Sequence, residues 1–210
     1  MAFENNIFIN CPFDEEYIPL LRAIVFTSLY LKLKPHLSQT ISSSNIRVNQ
    51  IKQHIRSCKY GIHDLSRSKA MAPGELPRFN MPYELGLDIG ASEYGNTKLR
   101  KKRILILETE KFHYQKVISD IAGQDIANHD DNPKILIRKI RDWLSANTEG
   151  KVIPPRSEIW IAYNQFTENL LNTTLASYTA EDIREMPVGD YIRFAKDWIP
   201  SFQQTRSSGT

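Results

Sequence analysis

The chain has 210 residues, 41% of them hydrophobic and 24% charged, with two cysteines and a net charge of +3. That balance excludes wholesale disorder, and no apolar run reaches the ~18–20 residues that cross a bilayer. Cys11 and Cys58 lie far apart and in no metal-ligand spacing, so neither a disulfide framework nor a structural zinc is expected. The weak charge permits an anionic ligand without demanding nucleic acid. With no signal-peptide pattern at the start, the composition predicts a soluble, cytoplasmic protein with no membrane contact.

The first predicted strand is the apolar run Asn6 to Asn10, which stops at Cys11-Pro12. Asp14 or its neighbours can cap the helix that follows, with Glu15 and Glu16 in the first turn. The stretch Tyr17 to Leu33 is apolar on more than one face and predicts a well-buried helix. A weak strand is read around Lys34 to Thr40, then a loop at Ser42 to Asn45. Val48, Ile51, Ile55 and Cys58 recur every three or four residues, one apolar stripe of a second helix. Tyr60 to Leu65 reads as a strand. The proline- and glycine-bearing stretch Ser66 to Phe79 is long for a compact domain and reads as a functional loop. A third helix begins near Pro82, Arg103 to Glu108 is the clearest strand, and a helix spans Pro133 to Leu144 after an irregular polar stretch.

Gly150 to Pro155 marks a boundary, dividing a 1–150 α/β domain from a 151–210 helical C-terminal extension. In that extension Ile159 to Leu171 is amphipathic, and Thr179 opens a capping box for a helix to about Trp198, broken near Pro187 and Gly189. Residues from Gln203 onward are polar and expected to fray. Strands alternating with helices predict a parallel sheet of about five strands covered on both faces, with ligands bound beyond the strands' carboxyl ends.

Three segments converge on that edge. In Phe79 to Gly86, Pro82 suits a helix's first turn, Asn80 can cap, and Glu84 follows at the mouth of the crevice. There the helix N-terminus is expected to favour the ionised carboxylate. Gly86 and Gly90 are expected to pack against the sheet. A fixed carboxylate suits chemistry that builds positive charge, such as breaking an N-glycosidic bond. In the turn after the first strand, Asn10, Cys11 and the backbone beyond can meet a ribose or phosphate, although no Gly-rich fingerprint is present. Cys11 reads as a core thiol in preference to a nucleophile. At the third segment Asp64 can bond a ribose hydroxyl and Arg67 can clamp a phosphate, with Ser66 between them; a local turn is the plainer reading of all three. His63 reads equally as packed or catalytic. Asp120, Asp125 and His129 lack a metal-site spacing, so no metal is expected. The basic run Lys98 to Arg103 reads as a solvated lead into the buried strand rather than a nucleic-acid face.

Ile7-Phe8-Ile9-Asn10 with Asp14-Glu15, the strand Ile62-His63-Asp64-Leu65-Ser66, and Glu84 opening a helix after a loop together resemble TIR-like domains and the related nucleoside deoxyribosyltransferase-like enzymes. The resemblance covers about residues 5–145. It implies a flavodoxin-like fold and cleavage of NAD+ or a related nucleotide at its N-glycosidic bond, by hydrolysis or transfer and without a cofactor. It gives Glu84 the role of catalytic carboxylate and sets Asn10 and the turn after it, with Asp14, beside the ribose and phosphates. It also implies homo-oligomeric assembly and a place in bacterial anti-phage defence. Cys-Pro-Phe at 11–13 departs from the polar loop of many TIR domains, and the loop before Glu84 is longer and richer in proline. The alternative reading is a module that binds a nucleotide signal or self-assembles without turnover.

Overall fold

The computed structural model describes residues 3–37, 46–67, 74, 76–116, 118–121, 126–148, 150, 152–174 and 178–207. The strands are β1 (Asn6–Asn10), β2 (Lys34–Leu37), β3 (Tyr60–Asp64), β4 (Arg103–Glu108) and β5 (Ile126–Asn128). They form one all-parallel sheet in the order β2-β1-β3-β4-β5, a flavodoxin-like arrangement. The helices between and after them are α1 (Ile18–Tyr30), α2 (Arg47–Ser57), α3 (Asn80–Tyr94), α4 (Pro133–Asn147), α5 (Arg156–Thr174), α6 (Ala180–Arg184) and α7 (Val188–Ser207).

The pleat sorts the strand residues onto two faces, since successive side chains point opposite ways. Ile7, Ile9, Tyr60, Ile62, Leu105 and Leu107 join the apolar cluster of α1 and α4. Phe8, Gly61, His63 and Ile106 face α2 and α3. The predicted alternation of strand and helix holds through α3. After β4 the described residues make the 3-10 turns His113–Lys116 and Ser119–Ile121, and no α-helix, before β5. That last strand lies inside the stretch read as an irregular polar loop. With three half-buried residues it is too short to show a period.

The extension forms a third layer over α1. One apolar cluster runs without a break from Ile7 to Ile199. Phe26 of α1 sits at its centre, 5.3 Å from Phe166 of α5 and 6.3 Å from Trp198 of α7, ring centroid to centroid. This explains the apolar character of α1 on all sides: one face meets the sheet and the other meets α5 and α7. Polar ties follow the same seam. The Arg22 guanidinium donates to the Ile183 carbonyl, Tyr191 Oη donates to the Arg22 carbonyl at 3.3 Å, and Tyr30 Oη donates to Glu158 at 2.8 Å. The Thr179 capping box forms as read, and the helix after it breaks before Val188 as expected. Residues 203–207, expected to fray, continue α7. No helix among the described residues is long and apolar enough to cross a membrane.

Several local expectations are corrected. Asp14 caps nothing; its carboxylate is held by arginines instead. Asn80 is the first residue of α3, is exposed, and makes no cap. Gly86 and Gly90 have open space where a side chain would stand. In the sheet itself Gly61 permits a close approach: an added Cβ would lie 2.4 Å from Asp88 Oδ2. The end of the predicted strand (38–40), the 42–45 loop and positions 68–73 and 75 of the 66–79 loop lie outside the described residues. The base of that last loop is closed, with the Arg78 N–H donating to the Arg67 carbonyl at 3.2 Å.

Candidate functional site

At the carboxyl edge, neighbouring residues of β3 feed two separate buried clusters, because His63 and Asp64 point to opposite faces. On the α1 face Asp64 is wholly buried. Its Oδ1 accepts from the Ser66 N–H at 2.8 Å and from Ser66 Oγ; its Oδ2 accepts from Tyr17 Oη and from His129 Nε2 at 2.9 Å. Four donors fill a carboxylate's capacity. Burial alone would raise this carboxyl, but the His129 hydrogen bond, with those of the two hydroxyls, brings it below its ordinary range. No lone pair remains for a ribose, which removes the ribose-binding reading of Asp64; the Ser66 hydroxyl gives its proton to the same carboxylate.

Serine, histidine and aspartate meet here without the wiring of a hydrolytic triad. Ser66 Oγ lies 3.1 Å from His129 Nε2, the same nitrogen that Asp64 uses, while Nδ1 accepts from the Asp131 N–H at 3.2 Å. A triad places serine and acid on opposite ring nitrogens. His129 is thus committed to structure. No group of metal-binding side chains is assembled among the described residues, which leave out Asp125.

Arg67 does not reach out as a phosphate clamp. Its Nη2 lies 3.1 Å from Asp14 Oδ1 and 3.1 Å from Glu16 Oε2, and Arg78 adds a contact to Asp14 at 3.6 Å. These ion pairs pin the turn after β1 to the loop after β3. Cys11 is completely buried in the main apolar cluster. Burial, with the charges of Asp64, Glu84 and Asp14 nearby, pushes its thiol well above the ordinary value. It is a packed thiol, neither nucleophile nor ligand-facing group.

On the other face the sheet carries an unusual set of polar residues. Asn10 and His63 are register partners across β1 and β3. Asn10 Nδ2 donates to the Met81 carbonyl of α3 at 3.0 Å and lies 3.0 Å from His63 Nδ1. His63 Nε2 is 2.9 Å from Asp88 Oδ2, and Asp88 Oδ1 has no partner but the Lys102 ammonium at 3.0 Å. Lys102 also donates to the Ile55 carbonyl at 3.0 Å and to the Cys58 carbonyl. His63, Asp88 and Lys102 side chains are fully buried. Lys102 therefore departs from the solvated reading of its basic run.

Glu84 lies one turn into α3 on the same side as Met81 and Asp88. It is 3% exposed, and its Oε2 has no hydrogen-bond partner among the described residues. Burial raises its carboxyl to about 7, against the pull of the Arg47 charge at the start of α2. The expected lowering by the helix N-terminus is overturned because desolvation outweighs the dipole, which fades within the first turn. A buried carboxyl poised near neutrality, with an unspent oxygen, can exchange a proton, attack a cationic carbon, or stabilise positive charge forming beside it.

The structure thus brings Asn10 and Glu84 together on one face. It sets Asp14, Asp64, Ser66 and Arg67 in the scaffold of the edge, and Asn80 on the surface. Asp88, Lys102 and Arg47 were missed. Two signals could have found Asp88: its i, i+4 spacing from Glu84, and a glycine inside a strand, which marks close approach. Comparison with protein-family models, with curated proteins and with solved structures finds no match to this chain.

Proposed function

We propose that this protein is an N-glycosidase of TIR-like type, cleaving NAD+ or a related nucleotide at the bond between base and sugar, with Glu84 as the catalytic carboxylate. The observation that carries the reading is the buried Glu84 carboxyl at the carboxyl edge of a parallel sheet, its Oε2 without a hydrogen-bond partner among the described residues. Every other acid placed at that edge by the sequence is already paired: Asp64 by four donors, Asp14 by two arginines.

The physical logic favours a substrate whose base bears positive charge. A pyridinium beside Glu84 draws its proton off and holds the carboxylate in place. As the glycosidic bond breaks, that charge moves to the sugar, and the carboxylate stays opposite it as stabiliser or as nucleophile. The base leaves neutral, so no acid is required to protonate it. Arg47 is exposed at the start of α2 and supplies a cation for the phosphates. The TIR-like resemblance of the motifs adds the setting of anti-phage defence and activity on assembly.

The test is release of nicotinamide from NAD+ at high protein concentration, for the full chain and for Glu84→Gln and Glu84→Ala. Release by the full chain and a loss of at least about a hundredfold in both variants is expected. The kcat/KM profile should climb with pH and level off near 7, the value set by burial of Glu84. Equal release by all three chains would remove Glu84 from the chemistry. Base release from nucleoside monophosphates but not from NAD+ would move the substrate to the deoxyribosyltransferase-like side. A melting shift with NAD+ and no turnover would favour the sensing module.

A further inference from the structure

The chain Asn10–His63–Asp88–Lys102 has a direction that can be worked out atom by atom. The Met81 carbonyl only accepts, so the Asn10 atom 3.0 Å from it is the amide nitrogen. The same nitrogen lies 3.0 Å from His63 Nδ1, which must then be bare and accepting. The ring proton is on Nε2 and is given to Asp88. Asp88 is in turn anchored by Lys102, itself held by two backbone carbonyls. Gly61 is the residue that lets Asp88 come this close to the sheet. Both N–H groups of Asn10 are therefore spent, and the amide cannot flip without losing both. No described residue hydrogen-bonds the remaining atom, its carbonyl oxygen.

We infer that Asn10 is a substrate-positioning residue. Its carbonyl accepts a hydroxyl of the sugar whose glycosidic bond faces Glu84, and His63 with Asp88 and Lys102 acts through Asn10 to hold that oxygen forward. This rests on the N-glycosidase reading above. It explains why charged groups are kept under the sheet at a desolvation cost that an apolar packing would avoid. It also defines what Asn10 selects: a donor at the sugar, since the amide offers an acceptor and nothing else. Asp64, one residue along, cannot serve, because its four acceptor positions are filled.

Two substitutions at His63 separate orientation from stability. In His63→Asn the side-chain oxygen takes the place of Nδ1, keeping the acceptor for Asn10 and losing the donor to Asp88. In His63→Gln the side-chain amide reaches the place of Nε2, keeping the donor to Asp88 and losing the acceptor. The Gln variant should melt higher, because it leaves no buried carboxylate oxygen bare. The Asn variant should be the more active: kcat/KM for nicotinamide release is expected to be about tenfold higher than in the Gln variant, one hydrogen bond's worth. Nitrogen-15 spectra of the full chain add a readout free of activity. The Asn10 side-chain NH2 should stay protected from exchange in His63→Asn and lose protection in His63→Gln. Activity that follows the melting order, or equal protection in the two variants, overturns the inference. A full chain that releases base from neither NAD+ nor nucleoside monophosphates overturns the glycosidase reading and the sugar-hydroxyl assignment with it. The protection difference would then still decide whether His63 orients Asn10.

Discussion

The two faces of the sheet are built on opposite terms. The face under α1 and α4 is apolar, backed by a third layer, and the buried acid at its edge, Asp64, is saturated with donors. The face under α2 and α3 is thinner in apolar groups and carries His63, Asp88, Lys102 and Glu84 below 5% exposure. The first arrangement stores stability; the second gives some of it up to hold charged groups where water would otherwise solvate them. The same strands serve both, because consecutive residues such as His63 and Asp64 address different faces.

Removing the third layer should break that contrast most severely. A chain ending after Gly150 exposes Phe26 and Tyr30, each of which buries area worth about 1.5–3 kcal/mol, along with their neighbours on α1. The expected outcome is an insoluble or molten chain, seen as loss of near-ultraviolet circular dichroism and of a cooperative melt. A soluble, cooperatively melting fragment would show that the sheet stands without its cover.

Glu84→Gln sharpens the contrast from the other face. The Glu84 carboxyl rises from 4.5 to about 7 on folding, so the folded state binds its proton more tightly than the unfolded state. Its contribution to stability is full below about pH 4.5 and is lost as pH rises through 7. Glutamine does not titrate. The variant should match the parent chain near pH 4.5 and exceed it above pH 7, by on the order of 3 kcal/mol. Melting temperatures across that range check the sign; a difference that shrinks with rising pH would contradict the burial of Glu84.

The smallest effect is expected at Gly61. A methyl group there meets Asp88 Oδ2 at 2.4 Å and His63 Nε2 at 3.2 Å. Gly61→Ala should cost about 1–3 kcal/mol by denaturant melting, the range for overpacking a filled site. Gly86→Ala, with open space around it, should be neutral or slightly stabilising through helix propensity.

These positions also show what could be read from the chain alone. β1, β3, β4 and α1 were legible because each is an apolar run with its own end signal. Glu84 was legible because a proline and a loop announce a helix start just before it. The state of its carboxyl was not, since desolvation depends on what α2 and β1 place around it. Lys102 sits among five neighbouring basic and apolar letters that look solvated. The approach of Asp88, 14 residues earlier in the chain, and of the Ile55 and Cys58 carbonyls makes it a buried anchor. β5 was hidden because three residues carry no period.

The cover over α1 has a consequence for how the protein is made. Tyr30 waits for Glu158, 128 residues downstream, and its carbonyl waits for Gln203, 173 residues downstream. Arg22 waits 161 residues for the Ile183 carbonyl. A ribosome adding roughly 5–20 residues per second leaves this apolar helix bare on one side for many seconds after its own strands have emerged. Closure of the hydrophobic core is thereby a late event of synthesis, and a nascent chain has its Glu84 long before it has the seal that steadies the sheet beneath it.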